Sequence, residues 1–124
     1  RTLKTVLPKL PIGLPVPILI VQHMPPKYTQ SLAQRLDEAS SIEVVEASDS
    51  MEATAGKAFF APGGKQMKLE RKDSRLLINV NDDPPENAVR PSVDYLIRSA
   101  SELLDGAVLA IIMTGLGRDG LAGC

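Results

Sequence analysis

The chain has 124 residues, with 14 Lys and Arg against 15 Asp and Glu, a formal net charge of −1 and a single cysteine, enough for one domain with its own core. Charge without long blocks of one sign, together with only two Tyr, two Phe and no Trp, excludes an electrostatic or base-stacking nucleic-acid binder. One Cys supports neither a disulfide framework nor a cysteine-rich metal site, and no apolar run is long enough to cross a bilayer or reads as a secretory signal.

Cytoplasmic localisation without membrane insertion is therefore the expectation. Arg1 stands where an initiator Met would be, and Cys124 comes soon after a strand-to-helix turn. The chain is expected to be part of a domain that continues on both sides.

Residues 2–10 read as the tail of a helix, with Leu3, Val6, Leu7 and Leu10 at helical spacing and Pro8 weakening its end. A proline-rich connector, Pro11 to Pro17, leads into Ile18-Leu19-Ile20-Val21, the continuous apolar run of a strand buried on both faces. Pro25 and Pro26 end that strand, because neither donates a ladder hydrogen bond. A helix follows, with Thr29 expected as its cap and Leu32, Ala33, Leu36 and Ala39 on its inner face. Residues 43–47 and 58–61 read as further short strands.

Between Gln66 and Val80 the pattern changes. Met67 and Leu69 alternate with charged residues, Lys72-Asp73-Ser74 reads as a turn, and Leu76 to Val80 returns as a strand. Period-two alternation across a turn predicts a small antiparallel hairpin beside the parallel sheet. After the loop 81–90, Ser92 is a good N-cap and Asp94 suits the positive end of a helix dipole. Val93, Leu96, Ile97, Ala100, Leu103 and Leu104 mark the buried face, and Gly106 supplies the stop. The run from Ala107 to Met113 then reads as a buried strand. Alternating strands and helices put the chain in the α/β class with a mainly parallel sheet.

That last strand opens into Met113-Thr114-Gly115-Leu116-Gly117-Arg118-Asp119-Gly120, whose glycines fit the spacing of a dinucleotide-binding turn. In such a site the pyrophosphate lies at the helix N-terminus, where the Asp119 carboxylate would repel it. The other reading starts from location. Open α/β sheets carry their sites beyond the carboxyl ends of parallel strands. His23 follows one strand and Asp119 another. A carboxylate accepting the imidazole Nδ1–H would fix the tautomer and stabilise the imidazolium formed when Nε2 takes a proton.

From these residues alone, other roles stay open. His23 also fits an ordinary loop position, Asp119 and Ser92 helix caps, Gly63 and Gly64 a turn, and Met24 either a cleft wall or packing under its loop. A nucleotide-binding domain and a non-enzymatic receptor-binding module are the competing functions. A zinc site is excluded by the shortage of ligands.

Four segments together narrow the choice: Ile20-Val21-Gln22-His23-Met24-Pro25-Pro26, Phe60-Ala61-Pro62-Gly63-Gly64, Arg90-Pro91-Ser92-Val93-Asp94 and the turn Met113 to Gly120. In this order, and across essentially the whole of residues 1–124, the sequence resembles the catalytic domain of the bacterial chemotaxis receptor methylesterase (CheB) family. The resemblance implies a doubly wound α/β fold, with helices on both faces of a mainly parallel sheet. It implies a serine hydrolase that demethylates glutamate methyl esters on methyl-accepting chemotaxis receptors and can deamidate receptor glutamines. No metal or diffusible cofactor enters that chemistry.

By the same resemblance His23 is the general base and Asp119 orients it. The glycines from Gly115 to Gly120 then shape the turn that presents Asp119. Met24, Leu116 and Gly117 are the candidates for contacting the substrate. Leu116 departs from the Met common in that turn of the family, a change of similar volume. The family's nucleophile is a serine in a Gly-x-Ser-Thr-Gly-Gly turn, and none of the serines here occupies such a turn. It is expected upstream of Arg1 along with the first strand, leaving a partial domain that is inactive alone. An upstream receiver domain is neither shown nor excluded by these residues.

Overall fold

The computed structural model describes residues 2–87, 89–105, 108, 109 and 111. Three short strands, β1 (Ile18–Ile20), β2 (Glu43–Glu46) and β4 (Lys57–Phe60), form a parallel sheet in the order β1-β4-β2. Leu19 and Val45 both register with Phe59 across the central strand. A strand paired on both sides and covered on both faces takes apolar residues where it is covered, and Ala58, Phe59 and Phe60 are all buried, with Lys57 at the strand's start.

Strand alternation divides the core in two. Ala58 and Phe60 join Ile20 and Val44 in one cluster, which Leu7, Leu32, Ala33 and Leu36 complete. Leu7 belongs to a 3-10 turn (Leu7–Lys9) that follows α1 (Thr2–Val6). Leu32, Ala33 and Leu36 come from α2 (Pro26–Ala39), the crossover between β1 and β2. Phe59 and Ala61 face the other way, into a cluster with Met67, Leu69, Ile78, Leu96 and Ala100.

The second cluster is built on a separate antiparallel sheet of β3 (Met51–Glu52), β5 (Gln66–Lys72) and β6 (Arg75–Asn81), in the order β3-β6-β5. The expected hairpin is its core: β5 and β6 pair from Gln66↔Asn81 to Lys72↔Arg75 around a tight turn, with Asp73 at φ 55°. Helix α3 (Val93–Leu104) packs its buried Leu96 and Ala100 into the same cluster. Ser92 holds the expected N-cap position, but its side chain makes no capping bond. Asp105, in the left-handed region, ends the helix, and Gly106 lies outside the described residues.

Several expectations need correction. The hairpin gains a third strand, β3, whose two residues are too few for alternation to register. Thr29 is not a cap, because α2 begins with Pro26 at the first helical position, which proline favours, and Pro25 is the N-cap. Ala39 is exposed at the helix end. The strand expected over 107–113 falls mostly outside the described residues, since 107, 110, 112 and 113 are not among them; of the rest, Leu109 and Ile111 are exposed.

Because Phe60 is fully buried where β4 meets α2, Phe60→Ala should lower the unfolding free energy by about 3–5 kcal/mol. Urea denaturation of the protein carrying this domain measures it. A loss below about 1 kcal/mol would show that this cluster is not a close-packed core.

Candidate active site at the carboxyl edge of the parallel sheet

Since β1, β2 and β4 run parallel, their carboxyl ends emerge at one edge. The ladder continues slightly past the strands there: Ala61 N–H donates to Ile20 O at 2.9 Å, and Ala47 N–H to Phe60 O at 2.8 Å. The loop after β1 and the loop after β4 therefore leave the sheet side by side. Val21 packs against the second cluster and Met24 against the first, so the segment is pinned at both ends of its arc. His23 lies between them, on the exposed side.

The loop after β4 supports this arc from below. A Cβ on Gly63 would fall 2.5 Å from Met24 O and 2.7 Å from Pro25 C, so only glycine allows the two backbones to meet. Gly63 N–H donates to Thr29 Oγ1 at 3.1 Å. Thr29 is completely buried inside α2, and its hydroxyl also contacts the Glu46 carboxylate and lies 3.3 Å from Pro26 O. Gly64, at φ +80°, turns the chain away and donates its N–H to Arg90 O at 3.2 Å.

The segment from Arg90 to Asp94 is held from β5. The buried Gln66 side chain donates from Nε2 to Pro84 O and accepts Ser92 N–H at Oε1, each at 3.0 Å. Asn87 Nδ2 donates to the buried Asp94 carboxylate at 2.8 Å. Arg90 Nη1 donates to the carbonyls of Asp82 and Asp83. Lys65 Nζ lies 2.6 Å from the exposed Asp82 carboxylate, and its hydrogen bond and charge hold the Asp82 pKa below the ordinary value of 3.8. Burial and the Asp83 carboxylate together raise the Tyr95 phenol above its usual range, at the far side of the same connector.

Of the predicted site residues, His23 and Met24 thus share the segment after β1. Asp119, Leu116 and Gly117 lie outside the described residues. Met24 is half-buried against the core. Among the described residues no group of His, Cys, Asp and Glu could hold a metal ion. A shallow charged depression between β5 and α3, lined by Lys68, Asp83, Tyr95, Arg98, Ser99 and Glu102, includes neither His23 nor Met24. Thr29 is the site-supporting residue that sequence reasoning misassigned. The signal was present: Pro25-Pro26 already marks the helix start, which moves Thr29 inside the first turn.

Parallel strands with a loop histidine at their carboxyl edge define an α/β domain whose candidate site lies beyond the sheet. A sequence model described as CheB methylesterase matches residues 1–124, and the chain belongs to that family. It is 50% identical over 125 residues to a protein of Desulfotalea psychrophila named protein-glutamate methylesterase/protein-glutamine glutaminase, covering 99% of this chain and 34% of the relative. A Bacillus subtilis protein of the same name is 43% identical over 123 residues, covering 99% and 34%. The chain thus spans about a third of the length of these relatives. The crystal structure of the Thermotoga maritima CheB methylesterase catalytic domain superposes with a TM-score of 0.96 at 39% identity, covering 99% of this chain and 65% of that one.

The Lys65–Asp82 pair gives a signed pH prediction. Because the folded carboxyl titrates below 3.8, the pair's contribution is present above that value and is lost as pH falls through the depressed folded pKa. Both groups are exposed, so the effect on stability is small and weakened by salt. Carboxyl-carbon NMR should give Asp82 a midpoint below 3.8, and Lys65→Met should return it toward that value. A midpoint at or above 3.8 without the substitution contradicts the pairing in solution.

Proposed function

We propose that the protein carrying this chain is a protein-glutamate methylesterase acting on methyl-accepting chemotaxis receptors in the cytoplasm. The observation that carries the reading is the position of His23. It is the one histidine of the chain, at the carboxyl edge of the parallel sheet, in a chain matched throughout by the CheB methylesterase family. The complete domain is read as a doubly wound α/β fold, and an upstream receiver domain is part of the proposal.

The nucleophile is read as a serine outside these residues, since none of the serines here stands in a Gly-x-Ser-Thr-Gly-Gly turn. In the proposed reaction the serine oxygen attacks the side-chain ester carbonyl as His23 Nε2 takes the hydroxyl proton. The ester C–O bond breaks, and His23 returns the proton to the departing methoxide, releasing methanol. A water molecule, deprotonated by the same imidazole, attacks the acyl-enzyme and frees the glutamate and the serine. The Asp119 carboxylate accepts the His23 Nδ1–H, while Met24, Leu116 and Gly117 contact the substrate. With a glutamine substrate the same steps release ammonia, in keeping with the double name of the Desulfotalea psychrophila relative.

The test is methanol release from methylated receptors by the full-length protein. His23→Ala and Asp119→Asn should each reduce turnover by about 10,000-fold while circular dichroism stays unchanged. Equal turnover by folded variants and the unsubstituted protein would end this reading.

A further inference from the structure

We propose that Thr29 is a positioning residue for His23, acting through Gly63 on the backbone that follows the histidine. The inference rests on the methylesterase reading, and it gives a role to a buried hydroxyl that the hydrolytic steps do not use.

Threonine is a middling helix former, and a buried one inside a helix commonly turns its hydroxyl back onto its own helix. Pro26 O, at 3.3 Å, offers Thr29 that acceptor. The surroundings give the hydroxyl more to do. It is an acceptor for Gly63 N–H at 3.1 Å and contacts the Glu46 carboxylate, the stronger acceptor of its single proton. A directed chain results, running from the Gly63 amide through Thr29 Oγ1 to Glu46. It ties three parts of the sheet edge together: the loop after β4, the first turn of α2, and the end of β2.

Gly63 is the far end of that chain, and it touches the backbone of Met24 and Pro25 directly. Tyr28 N–H donates to Pro25 O at 3.0 Å, so the start of α2 closes the same arc from its other side. His23 immediately precedes this clamped pair. A base that must reach a serine proton at hydrogen-bond distance loses rate when its anchor shifts by a fraction of an ångström. Valine in place of Thr29 keeps the shape but gives Gly63 N–H no acceptor, and the loop beneath Met24 loses its anchor.

The experiment compares Thr29→Val, Thr29→Ser and His23→Ala with the unsubstituted full-length protein in the methanol-release assay. Thr29→Val should lower kcat about 10- to 100-fold with KM within about twofold, and Thr29→Ser, which keeps the hydroxyl, should recover kcat to within about threefold. The His23 imidazole resonance, assigned by its loss in His23→Ala, should shift or broaden in Thr29→Val and return in Thr29→Ser. If Thr29→Val does not fold, Glu46→Leu carries the test. Glu46 is half-buried on β2, and its loss removes the charged acceptor while sparing the helix interior. A kcat-selective fall is again expected.

Unsubstituted kcat and an unmoved His23 resonance in folded Thr29→Val, or in Glu46→Leu where it stands in, overturn the positioning role while His23→Ala remains inactive. An unsubstituted protein that releases no methanol, or a fully active His23→Ala, instead overturns the methylesterase reading, and the catalytic part of this inference falls with it.

Discussion

The structure depends on the two-sided burial of β4. Its hydrogen bonds run to β1 on one flank and β2 on the other, and its consecutive residues Ala58 to Ala61 feed two different clusters. Phe60 closes the layer beneath α1 and α2, while Phe59 closes the layer shared with the antiparallel sheet and α3. With both faces occupied and both edges paired, β4 has no freedom to twist or slide. The direction in which it leaves the sheet is consequently fixed. Gly63 emerges from that exit, and its contact with Met24 and Pro25 transmits the rigidity of the sheet to the loop that carries His23.

How legible this was in the sequence varies by element. Ile18 to Val21 announces a strand buried on both faces because no polar residue interrupts it, and β1 is found there. Helix α3 was equally clear, its buried residues recurring at the spacing of one helical face. The β5–β6 hairpin could be read from alternation alone, but β3 could not, since two residues carry no period. Thr29 was misread because hydroxyl residues near a helix start are usually caps, whereas the prolines before it had already set the start. The strand expected at 107–113 falls mostly outside the described residues.

The position of His23 was legible for a topological reason. A residue just past a parallel strand must lie at the carboxyl edge wherever that strand sits in the sheet, so His23 could be located without knowing strand order. What the sequence could not reveal was the support beneath it. The contact between Gly63 and Met24 joins residues distant in sequence, and the pairing of β1 with β4 brings their loops together. The glycine pair at 63–64 reads as a turn in isolation, and it is one. Its second property, the absence of a Cβ where another backbone passes, exists only in three dimensions.

An exposed histidine poses a mechanical problem that this arrangement answers. Side chains in a core are held by the neighbours that cover them, whereas an exposed side chain such as His23 takes much of its placement from the backbone that carries it. Here that backbone is fixed by what lies under it: Val21 and Met24 packed into opposite clusters, a glycine pressed against the following peptides, and a buried hydroxyl satisfying that glycine's amide. The arrangement also separates two kinds of constraint. Residues facing outward at this edge are held less tightly by packing, whereas Gly63, Gly64 and Thr29 are confined by sterics and by one buried amide.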